Sequence, residues 1–70
     1  MQIIETGRVY VKYKKNKRLL NERERFVLSA FYGFDKHFRH TLNEIGMLIG
    51  GVTRERARQI KEVALRKIGA

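Results

Sequence analysis

The chain has 70 residues, so it makes one small domain near the size below which a single apolar core struggles to hold a fold. It has no cysteine, which excludes disulfide staples and thiolate metal sites and fits a reducing cytosol. Sixteen Lys and Arg against seven Asp and Glu give a formal charge of +9, a field that attracts polyanions, nucleic acid first and anionic membrane surfaces second.

The N-terminus, Met1-Gln2-Ile3-Ile4-Glu5-Thr6-Gly7, has neither a basic start nor a long apolar stretch and does not read as a signal peptide. No apolar run approaches the ~18 residues of a spanning helix. The expected setting is the cytoplasm. Residues 1–18 alternate weakly, with Val9, Val11 and Tyr13 on one side and Arg8, Tyr10, Lys12 and Lys14 on the other. That spacing predicts a short strand or an extended arm. It runs into Lys14-Lys15-Asn16-Lys17-Arg18, a basic run that is either a solvated linker or a tail for phosphates. Residues 1–18 are therefore read as one segment and residues 19–70 as the folded domain.

Leu20 precedes Asn21, and Asn21 with Glu24 has the form of a capping box. Phe26, Val27, Ala30 and Phe31 then recur at helical spacing, and Gly33 is placed to stop the helix. The first helix is predicted over about Glu22 to Tyr32. Phe34 to His40 reads as a loop. Thr41 with Glu44 forms a second capping box, opening a short helix through Leu42, Ile45, Leu48 and Ile49. Gly46 inside it marks a close approach by another helix. Gly50-Gly51 ends that helix and Thr53 caps the next, which runs to about Ile68 with Ala57, Ile60, Ala64 and Ile68 along one face.

Two helices joined by a glycine turn, with a third as a wall, predict an all-α helix-turn-helix domain. In such a domain the first two turns of the last helix enter the major groove. Arg54, Glu55, Arg58 and Gln59 occupy those turns. Arg pairs bidentately with guanine, Gln with adenine, and Glu accepts from cytosine, so the set suits base edges. A Glu facing a polyanion is unfavourable unless it reads a base or braces an Arg. The alternative is a solvated helix face with Glu55 paired to Arg58 or Gln59. The free N–H groups at the start of the second helix, around Leu42 and Asn43, suit a phosphate. His37 and His40 beside Asp35 are a faint metal pattern, outweighed by the lack of a further ligand, and no metal or other cofactor is expected. No nucleophile with a base and no phosphate loop is visible, so an enzyme is not expected.

The blocks Leu20 to Leu28, Tyr32-Gly33-Phe34, Thr41 to Gly46, Gly51 to Ile60 and Ala64 to Ile68, in that order, resemble region 4 of sigma-70-type bacterial sigma factors. The resemblance covers Leu20 to Ile68, about seventy per cent of the chain. It implies a three-helix domain of winged-helix-like or sigma region 4 type. It also implies recognition of a promoter −35 element and docking on the flap of the RNA polymerase β subunit. Carried over by position, Arg54, Glu55, Arg58 and Gln59 would read bases. Arg23, Thr41, Leu42 and Arg56 would lie near phosphates, and Val27, Phe31 and Phe34 would meet the flap. The chain departs from the family at Gly50-Gly51, where one residue is usual, so a longer turn is expected. Lys61 and Val63 in the last helix also differ, and Ser29 and Phe31 replace positions often basic in the family, which makes the first helix more apolar. The chain has no room for the region that opens DNA, so a complete initiation factor is not expected. A second reading is a regulator, phage-encoded or not, that occupies the flap and displaces or supports the host sigma factor with little base readout.

Overall fold

The computed structural model describes residues 2–35 and 37–70. Within these residues four α-helices follow one another: α1 (Gln2–Asn16), α2 (Glu22–Tyr32), α3 (Leu42–Leu48) and α4 (Arg54–Lys67), with a 3-10 turn at Lys17–Leu19 between the first two. Among the described residues there is no strand, so the domain is all-α and carries no wing.

The segment read as an arm or strand is a helix, and this corrects the expectation for residues 2–18; Met1 lies outside the described residues. The reason is visible in burial. Val9 and Tyr13 are 6% and 2% exposed, whereas Val11, which a strand would place beside them, is 63% exposed. Residues four apart share a helical face, and residues two apart do not.

Each later helix starts where a side chain satisfies its free N–H groups. Asn21 accepts from the Glu24 amide at 2.8 Å while the Glu24 carboxylate accepts from the Asn21 amide at 3.0 Å. Thr41 and Glu44 repeat this reciprocal pair at α3, and Thr53 accepts from the Arg56 amide at α4. Helix α2 stops at Gly33, whose left-handed backbone (φ 80°) lets the amides of Gly33 and Phe34 both donate to the Ser29 carbonyl. The loop beyond is pinned back onto α2 by His40, whose amide donates to the Ala30 carbonyl at 2.8 Å.

The core has two parts. Val27, Ala30, Ile45, Ala57 and Ile60 form one beneath the α3–α4 pair, where α2 serves as the wall. Val9, Tyr13, Leu20, Leu28, Phe34, Ala64 and Ile68 form the other, between α1, α2 and the C-terminal half of α4. Burying one side chain of the size of Leu28, Ile45 or Val27 contributes about 1.5–3 kcal/mol, so a handful of such residues decides whether so small a domain folds. Helix α1 is tied in further by the Tyr13 hydroxyl, which donates to the Asp35 carboxylate at 2.8 Å, and by Asn16, whose amide donates to the Ile68 carbonyl at 3.3 Å.

Candidate nucleic-acid interface

Gly46 sets how α4 sits against α3. A Cβ at this position would overlap the Val52 carbonyl oxygen, so the close approach comes from the turn's backbone rather than from another helix. The Gly46 carbonyl accepts the amides of both Gly51 and Val52, at 3.0 and 2.9 Å. Gly50 and Gly51 lie at φ 116° and 77°, a region that residues with a Cβ rarely occupy. The added glycine is thus taken up inside the turn, which still closes on α3. Thr53 then starts α4.

This places Arg54, Glu55, Arg58 and Gln59 on the first two turns of α4, all exposed. They are not independent groups. Glu55 and Arg58 form a two-point ion pair, Nε to Oε1 at 3.0 Å and Nη2 to Oε2 at 2.7 Å. The Arg56 guanidinium donates to the Gln59 amide oxygen at 3.4 Å. Hydrogen bonds from Arg58 hold the Glu55 carboxyl below its usual range, and the same pair raises Arg58, so both remain charged at neutral pH. Glu55 therefore braces an Arg while the pair stays solvated.

The four residues expected near phosphates fall into two pairs, each in its own hollow. Thr41 and Leu42 share an open hollow with Arg54, Phe31, Arg39 and His40. Arg23 and Arg56 share another with Asn21, Glu24, Ile60 and Val63. Arg39 was missed in the sequence, where it stood as an isolated charge in a loop with no helical or motif spacing to single it out. A third hollow, lined by Arg56, Arg58, Gln59, Glu62, Val63 and Arg66, continues the basic surface along α4.

The expected flap-contacting residues separate. Val27 is 0% and Phe34 5% exposed, each inside one part of the core, so neither is available to a partner while this packing holds. This corrects the expectation for those two. Phe31 is only partly buried, and the Lys61 ammonium sits over its ring at 4.6 Å. Apolar groups that do reach solvent near the helix-turn-helix include Phe38, Met47 and Leu48; Leu48, read in the sequence as part of the apolar run of α3, is turned outward.

Asp35 and the two histidines go different ways: Asp35 accepts from Tyr13, His37 packs edge-on against Phe26, and His40 lines the Arg54 hollow. Among the described residues no group of three or more His, Cys, Asp or Glu could hold a metal ion. Among them, too, no helix is long and apolar enough to cross a membrane.

Residues 18–69 match the family model for sigma-70, region 4. The chain is 55% identical over 49 residues to the RNA polymerase sigma factor SigA1 of Synechococcus elongatus, covering 70% of this chain and 12% of that protein. Over the same length it is 51% identical to SigA of a Bacillus species and 53% identical to SigA of a Nostoc species, covering 70% of this chain each time and 13% and 12% of those proteins. It thus spans about an eighth of the relatives it matches. No solved structure matches the chain.

Proposed function

The chain belongs to the sigma-70 region 4 family, and from this membership we propose that it is a DNA-binding transcription module. In this reading the first two turns of α4 enter the major groove of a promoter −35-like element, and the domain docks on the flap of the RNA polymerase β subunit in the cytoplasm. The observation that carries the reading is the end of α4. Four exposed side chains able to read bases lie on its first two turns, and the phosphate-contact candidates line two hollows, one shared with Arg54 and the other with Ile60 and Val63 of α4.

Arg58 and Gln59 take the base-reading roles, with Arg54 and Glu55 at the leading edge. Glu55 also positions Arg58, because the two-point pair holds the planar guanidinium to one orientation. Arg23 and Arg56 on one side, and Thr41 and Leu42 on the other, meet phosphates and set the register without reading sequence. Arg39 joins the second group. Phe31 is the flap contact.

A second reading, a regulator that holds the flap with little base readout, is favoured by one observation. Three of the four base-reading groups already have side-chain partners, Glu55 with Arg58 and Gln59 with Arg56. Binding of a −35-like duplex and a shuffled duplex, measured with Arg54→Ala and Gln59→Ala, separates the two. Loss of affinity confined to the −35-like duplex supports base readout, and equal loss on both removes it. Capture of the isolated β flap that survives these changes but falls with Phe31→Ala supports the flap role. Absence of capture removes it.

A further inference from the structure

Helix α1 has no part in the base-reading surface, yet it and the 3-10 turn after it hold six of the sixteen Lys and Arg against one acid, Glu5. Between Arg8 and Arg18 there are six cations, Arg8, Lys12, Lys14, Lys15, Lys17 and Arg18, and no acid. All six are exposed, and none has an ion-pair partner among the described side chains. The helix turns Val9 and Tyr13 inward and leaves the cations on its exposed remainder, with Arg8, Lys12 and Lys15 in a row along one flank of the outward-turned Val11.

We propose that this face of α1 is a second DNA-binding surface, one that grips the phosphodiester backbone of a duplex without reading bases. Three observations choose this occupant. The apolar side of α1 is spent in the core, and Tyr10 packs edge-on against Phe34 at 5.0 Å, so no continuous apolar face remains to enter a bilayer. The face is rich in Lys, and the apolar residue exposed among its cations is the small Val11 rather than an aromatic anchor, unlike a protein-binding patch, where Lys is depleted and aromatic residues concentrate. A row of flexible ammonium groups suits closely spaced phosphates, whose neutralisation releases counterions whatever the sequence.

The two surfaces are separate. Val9 and Tyr13 pack with Ala64 and Ile68, and Asn16 holds the Ile68 carbonyl, all at the far end of α4 from Arg54. At 1.5 Å per residue the helix spans about 20 Å between these ends. A duplex seated on the α4 N-terminus therefore leaves the α1 face free for another stretch of DNA. The chain would hold two segments together, or add an upstream grip on a bent one.

The test uses the full chain and a 16-base-pair duplex without a −35-like sequence, in excess at low salt, with stoichiometry read by calorimetry. The wild type takes up two duplexes per chain. Arg8→Gln/Lys12→Gln/Lys15→Gln, whose changes are all on the surface, takes up one with the salt slope of that event unchanged, and any residual binding at α1 loses about 2.7 from its slope, at about 0.9 for each phosphate no longer neutralised. Arg54→Ala/Arg58→Ala keeps the α1 event. One duplex per wild-type chain, or a second event that survives in the α1 variant, overturns the proposal, as does binding of the α1 face to anionic vesicles in preference to duplex. Failure of base readout at α4 appears instead in the ratio of −35-like to shuffled duplex, so the two readings fail separately.

Discussion

The Gly46 carbonyl accepts the amides of Gly51 and Val52, and the Val52 carbonyl oxygen lies where a Cβ on Gly46 would be. One residue without a side chain thus lets the turn fold back on α3 and sets where α4 begins. Gly46→Ala cannot be absorbed by a side-chain rotation, because the obstacle is backbone. It should cost about 2 kcal/mol, the middle of the range for overpacking. Gly7, in α1, has nothing within 4 Å of its would-be Cβ, and Gly7→Ala should raise stability by about 0.5–1 kcal/mol through helix propensity. Urea unfolding of the two variants should move in opposite directions.

Glu24 closes the α2 capping box and also receives Lys67 at 2.9 and 3.1 Å, joining the start of α2 to the end of α4. Burial pushes its carboxyl upward, but the hydrogen bonds from Lys67 and the Asn21 amide, with the Lys67 charge, outweigh this and lower it below the ordinary 4.5. A lowered folded value stabilises the fold above the unfolded value, and that contribution is lost as pH falls through the folded one. Stability should therefore drop below about pH 4.5 in the wild type and drop less steeply in Glu24→Gln. Lys67→Met, which leaves Glu24 buried without its cation, should cost about 1–2 kcal/mol at pH 7.

Breaking the Glu55–Arg58 pair separates positioning from charge. Glu55→Gln removes an acid from the DNA face, so affinity for any duplex should rise a few-fold, while discrimination between matched and mismatched −35-like duplexes should fall by about tenfold as Arg58 loses its fixed orientation. Both effects are read from one titration series on duplexes differing at single base pairs. Because the pair is solvated, the melting temperature should barely move. Unchanged discrimination would show that Arg58 is placed by DNA alone.

Tyr13 tests whether α1 is part of the fold. Its ring fills the second core cluster and its hydroxyl holds Asp35, a residue in the left-handed region at φ 53°. Tyr13→Phe should lose about 1 kcal/mol, the worth of one hydrogen bond, and Tyr13→Ala about 3–5 kcal/mol. Burial, then the bond to Asp35 and its charge, raise the Tyr13 hydroxyl above its usual value. A raised folded value stabilises the fold below the unfolded value and is lost as pH rises through the folded one. The wild type should therefore weaken above about pH 10 more than Tyr13→Phe does.

Signals that act within one helical turn are legible in the chain alone. Asn21 with Glu24, Thr41 with Glu44, Thr53 and Gly33 are of this kind, so the ends of α2, α3 and α4 can be read from spacing. The same holds for the order of Arg54, Glu55, Arg58 and Gln59, and for the blocks that identify the family. Packing settled the rest. Val9 and Tyr13 share a face in a strand and in a helix alike, because four residues is both two strand repeats and about one helical turn. Only the seating of α1 against Ala64 and Ile68, with Val11 turned outward, breaks that tie. Spacing also does not say which apolar residues face inward on both sides of a helix. Val27 and Phe34, expected at the surface, are enclosed: Val27 faces the cluster with Ile45 and Ala57, and Phe34, just past the end of α2, turns into the cluster with Val9 and Tyr13. The position of a basic face relative to the N-terminal end of α4 likewise depends on contacts between residues more than fifty apart, such as Asn16 with Ile68, which no local pattern records.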